Sequence, residues 1–293
     1  WASKERDLMD RVVEVTLNGL LTACFLALPA IGLSIVFRVA RFANVAHGDL
    51  LTIGAYAAYF ANVVIGMPVV PSTLVGVALG VAIGGGASYV VFHKLRIRSS
   101  FQLLLASIGL SIILRHVVQL FWGPGFLHFA LLPERPYTWG VIRVTTVQLV
   151  TMLVVATTVA MTHWFLAMTP WGRLMRAVGD SPELAAVSGI DLSRVHRWMW
   201  VLVSAMASLA GILYGLNVVL KPTMGWELII SIFAAAILGG IGSPYGALGG
   251  AAAIALAQEW STLLLPSVYK ETVGFLAMIG ALLVRQGGLW KHT

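Results

Sequence analysis

What most constrains this chain is its succession of apolar stretches, each near the length that crosses a bilayer. A helix needs about 20 apolar residues to span roughly 30 Å of hydrocarbon. Residues 12–37, 45–65, 69–92, 101–122, 144–168, 198–220, 228–241, 245–265 and 273–284 meet or approach that length. Lipid offers no partner to an open backbone, so these segments are expected to be helical. The predicted fold is all-α, a polytopic membrane protein with eight or nine transmembrane helices. The seventh and ninth segments are short, and the seventh runs into Gly239, Gly240 and Gly242, which suits a half-span or a broken helix.

Composition closes off other classes. The hydrophobic set makes up 59% of the 293 residues and charged residues 11%, against roughly 45–50% and about 25% in soluble domains. A soluble enzyme, a disordered chain and a nucleic-acid-binding protein all fit poorly. The net charge of +7 does not restore the last, because most Lys and Arg fall in loops between apolar runs. Cys24 is the single cysteine, so no intrachain disulfide can form and a Cys-based metal site lacks its ligands. The chain begins at Trp1 rather than Met, so further residues are expected upstream.

Lys and Arg gather in loops on the cytoplasmic side. Arg38 and Arg41 share one loop, Lys94, Arg96 and Arg98 the next but one, and Arg173, Arg176, Arg194 and Arg197 the long polar loop 169–197, whereas residues 67–72 carry no charge. The N-terminus is thus expected outside and, with nine crossings, Arg285 and Lys291 inside. Leu8, Met9, Val12 and Val13 lie among nearly balanced charges and suit an interfacial helix. Residues 1–293 are read as one membrane domain with the loop 169–197 inside it.

A faint internal echo runs through the chain. Gly32-Leu-Ser-Ile-Val-Phe precedes Gly48-Asp49-Leu-Leu, and Gly215-Leu-Asn-Val-Val-Leu precedes Gly225-Trp-Glu227-Leu-Ile. The first copy starts from outside and the second from inside, the pattern of an inverted-topology repeat, which in transporters places the substrate path at the repeat interface.

Ionisable residues inside apolar runs are the candidate functional groups, because they are costly there. The string Asn44-Val-Ala-His47-Gly48-Asp49 opens the second segment. One reading makes Asn44 a cap and Asp49 a charge favoured near a helix N-terminus. The other lets His47 and Asp49 face a watery cavity. As metal ligands the two lack a third partner nearby. Glu227 stands near a helix start, either as a cap or as a site residue. Glu259 lies deeper beside Gln258 and could pair with Arg115, which with His116 interrupts the fourth segment.

The loop 169–197 reads as two short helices. Residues 173–178 end at Gly179, a helix stop. Ser181 caps the second, with Pro182 at its first position and Glu183 in its first turn, and Gly189 closes it. A plain connector could be far shorter, so this polar hairpin suits the docking of a partner. The Gly-dense string 234–250 lacks the Lys-Ser/Thr ending of a phosphate-binding loop, and no such motif occurs in the chain. Its small residues suit close helix packing and a tight turn. No nucleotide hydrolysis is therefore expected of this polypeptide alone.

These strings carry a resemblance. Asn44-Val-Ala-His-Gly-Asp-Leu-Leu-Thr-Ile-Gly-Ala-Tyr56, the loop 172–191 and the string 234–250, in that order and spacing, resemble the integral membrane permease of branched-chain amino-acid ABC importers. The likeness extends from about residue 17 to residue 288 and is nearer to the partner type with a short cytoplasmic end than to its longer paralogue. Many members carry Glu where this chain has Asp49. The resemblance implies a bacterial inner-membrane subunit that pairs with a second, homologous permease. It implies two cytoplasmic ATPases that hold ATP and Mg, and a periplasmic binding protein that delivers substrate. This chain itself would bind no cofactor or metal. The loop with Arg173, Arg176, Gly179, Asp180, Glu183 and Gly189 would be the coupling helix, and Asn44, His47, Asp49, Tyr56 and Glu227 would line the path. Branched-chain or related amino acids are the implied cargo, with urea, amides or small organic acids as alternatives. A carrier driven by H⁺ or Na⁺ through Asp49, His47 and Glu259 is the rival mechanism.

Overall fold

The computed structural model describes residues 2–95, 99–131, 135–139 and 142–284. Arg96, Arg98, Arg285 and Lys291, counted above for orientation, lie outside the described residues. In chain order the helices are α1 (Ala2–Ala40), α2 (His47–Tyr59), α3 (Val69–Ala87), α4 (His93–Leu95), α5 (Ser100–Trp122), α6 (Thr146–Met168), α7 (Pro170–Asp180), α8 (Pro182–Val187), α9 (Leu192–Asn217), α10 (Met224–Leu238), α11 (Pro244–Ser261) and α12 (Lys270–Val284). A π turn at Phe60–Val64 prolongs α2, and another at Ser88–Phe92 joins α3 to α4.

The chain is a helical, multi-pass membrane protein. Five helices are long and apolar enough to cross on their own: Met9–Ala40 within α1, the continuous Val69–Leu95, and α5, α6 and α9. Local signals start them as expected of water-facing ends. Ser99 with Gln102, and Thr145 with Gln148, form reciprocal capping boxes at the starts of α5 and α6. The N-terminal residues do not form a separate interfacial helix. They continue directly into α1, because nothing before Pro29 breaks the pattern.

The fold is not wholly helical. Tyr137–Trp139 and Ile142–Val144 pair as an antiparallel ribbon, β1 and β2, with Thr138 opposite Arg143. This ribbon lies in the polar stretch between α5 and α6, where water can satisfy the edges that lipid could not. It marks one end of the molecule, the ribbon end. The other is the basic end, where Arg38 and Arg41 of α1 reach Gly179 and Asp180 of α7.

The two halves repeat with opposite direction. α1 packs on α11 as α3 packs on α9, α2 packs on α3 as α10 on α11, α5 lies on α2 as α12 on α10, and α1 and α9 meet at the centre. A two-fold exchange of α1-α2-α3 with α9-α10-α11 generates this pattern. α2 begins part-way up α1, where a Cβ on Gly32 would meet the His47 ring at 3.1 Å. It ends at the ribbon end, where the Asn62 side-chain oxygen accepts the Ala130 N–H at 2.9 Å. α10 begins against the start of α2 and runs the other way, to Gly242 beside Arg38. The echoed glycines therefore hold equivalent places: Gly32 gives room to His47, and Gly215 to Leu220, which precedes α10.

One expected crossing needs correction, and the half-span or broken helix expected of 228–241 is found. The segment 45–65 was expected to be a full span, yet its helix starts at depth beside Pro29. That residue is 11 positions from Ala40, roughly 16 Å along a helix rising 1.5 Å per residue. The segment 228–241 forms α10, 15 residues long, about 22 Å and short of the hydrocarbon thickness. Both are broken elements.

Candidate functional site

The linker 41–46 descends into the membrane without helical bonds, so its backbone needs partners. α5 supplies them as a rail. Ser100 Oγ donates to the Arg41 carbonyl (3.0 Å), and the Val45 N–H donates to Ser107 Oγ (3.1 Å). Farther along, Ser111 and Arg115 receive Asp49. Ser107, Ser111 and Arg115 are spaced by four and so share one helix face. Arg41 turns the chain at a φ of 56°, a left-handed conformation that costs an ordinary L-residue about 1–2 kcal/mol. Its guanidinium donates to the carbonyls of Gly179 (3.2 Å) and Asp180 (3.1 Å).

The amino ends of α2 and α10 meet near mid-depth. A Cβ on Gly48 would lie 2.3 Å from the Gly225 carbonyl oxygen, and one on Gly225 would lie 1.9 Å from that of Gly48. Only two bare Cα atoms permit this approach. Neither helix has a side-chain cap of its own. The Gly225 N–H, unpaired within α10, is instead bound by Thr52 Oγ1 of α2 at 3.1 Å.

Asp49 faces α5. Arg115 Nε and one terminal nitrogen each reach a carboxylate oxygen at 3.3 Å, a two-pronged pair, and Ser111 Oγ donates to the same group. Asp49 is 1% exposed and Arg115 13%. The Arg115 guanidinium lies 4.5 Å from the Trp226 ring centre, so one cation ties α2 to α10. Trp226 remains 43% exposed.

Of the other expected residues, Asn44 and His47 lie close by and Tyr56 and Glu227 do not join them. Asn44 does not cap α2, because Ala46 occupies that place. Its side chain is fully buried with neither polar atom paired. His47 turns away from Asp49 and donates from Nε2 to the Pro29 carbonyl at 2.9 Å, leaving Nδ1 bare. Tyr56 sits higher in α2, its ring 5.6 Å from that of Trp122. Glu227 bonds Thr223 (2.8 Å) and pairs with Lys221 rather than turning to the junction. The expected Glu259–Arg115 pairing does not form. Glu259 accepts from Thr22 (2.9 Å) and Lys270 (2.7 Å), because α11 packs on α1 and α12, away from α5. Below the junction a cavity of about 250 Å³ opens between α1 and α10, walled by Leu33, Phe37, Phe233 and Ile237.

At the basic end, Thr169 caps α7 through the Gly172 N–H (3.2 Å), and Pro170 holds its first position. α7 buries Gly172, Met175 and Val178, and its helix runs through Gly179 to Asp180. Gly179 is thus no helix stop. Its bare Cα lets the Arg38 stem cross, since a Cβ would lie 2.7 Å from Arg38 Cγ, and Arg38 pairs with Asp180 at 3.0 Å. Ser181 caps α8 through Leu184 (3.3 Å), and Gly189 turns at a φ of 80°. Asp191 caps α9, and the Arg194 N–H that it accepts holds its carboxyl below the usual range. Arg173, Glu183 and Gly189 are exposed, while Arg176 bonds inward to the Leu166 carbonyl. Sequence reading missed Leu184 and Val187, which stand 70% and 88% exposed on α8. Their signal was two apolar residues one turn apart in a polar loop.

Over residues 15–284 the chain matches the family described as branched-chain amino acid transport system / permease component. It belongs to that family. It is 29% identical over 286 residues to the high-affinity branched-chain amino acid transport system permease protein LivH of Escherichia coli K12, covering 93% of both chains. BraD of Pseudomonas aeruginosa, named for the same kind of system, is 27% identical with the same coverage. A probable LivH of Methanocaldococcus jannaschii is 28% identical over 91% of this chain and 90% of that one. Among solved structures, PsaBC from Streptococcus pneumoniae in complex with Fab is similar at 14% identity and a TM-score of 0.49, covering 90% of each chain.

Proposed function

We propose that residues 1–293 form one permease domain of an ATP-driven importer, half of a path for branched-chain or related amino acids across a bacterial inner membrane. The observation that carries this reading is the meeting of two half-helices near mid-depth beside an incompletely covered ion pair. A cation and an exposed Trp face at that depth call for a protein or water neighbour, which a second, homologous permease would supply. Asn44, His47 and Asp49 are the proposed path residues at the junction, with Tyr56 and Glu227 proposed farther along the path. Helix amino ends favour a carboxylate, and the apolar cavity below them suits an aliphatic side chain.

ATP coupling is read from the basic end, taken as cytoplasmic. α7 and α8 present Arg173, Glu183, Leu184, Val187 and Gly189 outward, as a coupling element would for two ATPase subunits that hold ATP and Mg. Arg176, Gly179 and Asp180 would brace that element against α1 and α6. A periplasmic binding protein would deliver cargo at the ribbon end. An ion-coupled carrier is disfavoured by the commitment of Asp49 to Arg115.

The test is purification from native membranes in mild detergent with mass spectrometry of what accompanies the chain. Recovery of a P-loop ATPase and a second permease is expected. Repeated recovery of the chain alone, with uptake that collapses on adding an uncoupler, would overturn the reading.

A further inference from the structure

The cleft between α3 and α9 at the basic end has no part in the path or in the α7–α8 surface. It encloses about 550 Å³ and reaches from the end of α1 at Ala40 to the first turns of α9. Its floor is apolar: the Phe92 and Trp200 rings stack 5.0 Å apart at 3°, with Leu103 beside them. The hollow exists because of backbone choices. Gly85 leaves open space where a side chain would stand, and the π turn at Ser88–Phe92 widens the helix there.

The mouth is basic. Arg197 and His93 are exposed and line it, and no acidic side chain among the described residues does. Arg197 makes no ion pair within 4 Å among the described residues. Asp191 is engaged by Arg194 at 3.8 Å and feels Arg197 only from farther off. Tyr89, stacked on His93 at 5.9 Å, and Val90 are exposed apolar residues of the π turn, within the continuous apolar helix Val69–Leu95. The cleft therefore opens toward lipid at headgroup depth, with an apolar floor and a basic rim.

We propose that this cleft binds an anionic phospholipid, its phosphate between Arg197 and His93 and the upper part of an acyl chain over Phe92 and Trp200. Basic pockets between membrane helices on one face recognise such headgroups. The proposal depends on the chain spanning a membrane and not on the transport reading.

The test is native mass spectrometry of the delipidated complex after addition of phosphatidylglycerol or phosphatidylcholine. Phosphatidylglycerol should be retained at least tenfold more. The double variant Arg197→Gln with His93→Gln should lose that preference, about fivefold of it through Arg197, whereas Arg143→Gln at the ribbon end should keep it. Equal retention of the two lipids by the wild type, or full preference in the double variant, would overturn the proposal. If the double variant does not accumulate, a salt series on the wild type decides: preference should fall as ionic strength rises, and a salt-independent preference overturns it. Displacement by inorganic phosphate as effective as by lipid would assign the rim to a free anion instead. Absence of lipid from a complex whose ATPase covers the cleft would assign it to that subunit.

Discussion

Gly48 and Gly225 touch backbone to backbone, each standing where the other's Cβ would have to go, at 2.3 and 1.9 Å from the facing carbonyl oxygen. The neighbours are main-chain atoms at the starts of two helices, so no side chain can swing aside. This contact joins the amino ends of the two inverted half-helices, α2 and α10.

A methyl group here should be costly. Gly225→Ala is expected to destabilise the protein by at least the roughly 1–3 kcal/mol typical of overpacking, with Gly48→Ala behaving alike. Thermal unfolding in detergent, followed by tryptophan fluorescence, measures it. An unaltered melting temperature for both variants would mean that the helices do not meet as described.

Breaking the Asp49–Arg115 pair from one side leaves a buried charge unmatched. Asp49→Asn or Arg115→Gln should each cost about 3–5 kcal/mol and lower the amount of protein in the membrane. The double variant should recover much of the stability, because neither charge is then orphaned. If the recovered protein also transports normally, the pair is structural and has no place in the path.

Leu184→Glu and Val187→Glu change exposed side chains, so folding should shift by less than about 0.5 kcal/mol. Binding of the ATPase subunits should weaken by at least tenfold, as loss of an interface anchor does. Gly179→Val should weaken it too, by driving the Arg38 stem off α7. Pull-down of ATPase by each purified variant reports this, and wild-type recovery from all three would remove α8 from the interface.

Asp191 sets a pH dependence outside the membrane. Its folded carboxyl is held below the usual range by the Arg194 N–H. The stabilisation is therefore complete above the unfolded value of about 3.9 and is lost as pH falls through the folded value. Hydrogen-exchange protection factors at Arg194 and Val195, which correct for the intrinsic pH dependence of exchange, should fall in acid in the wild type. In Asp191→Asn, which still caps but does not titrate, that added acid response should vanish. The same acid response in both would locate its origin elsewhere.

Much of this architecture was legible because membranes reward simple patterns. Apolar length located the crossings, the glycines at 32, 48, 215 and 225 carried the inverted halves, and Ser181-Pro182 with Gly189 marked α8. What stayed hidden depended on depth. The apolar run at 45–65 reads the same whether its helix starts at the surface or beside Pro29, since hydropathy says nothing of where a linker dips. Arg115 could be seen to interrupt α5, yet its partner was set by which helix lay alongside: α2 placed Asp49 there, while α12 took Glu259 with Lys270. Gly179 looked like a stop because the Arg38 side chain that crosses it is remote in sequence.

One helix touches both ends of the proposed machine. α1 carries the Pro29 carbonyl that holds His47 at the junction, and nine residues on it carries the Arg38 that grips Asp180. Displacement at either point is displacement of the same helix. Thermodynamic reciprocity then demands that whatever factor docking at α7 and α8 applies to cargo affinity, bound cargo applies to docking.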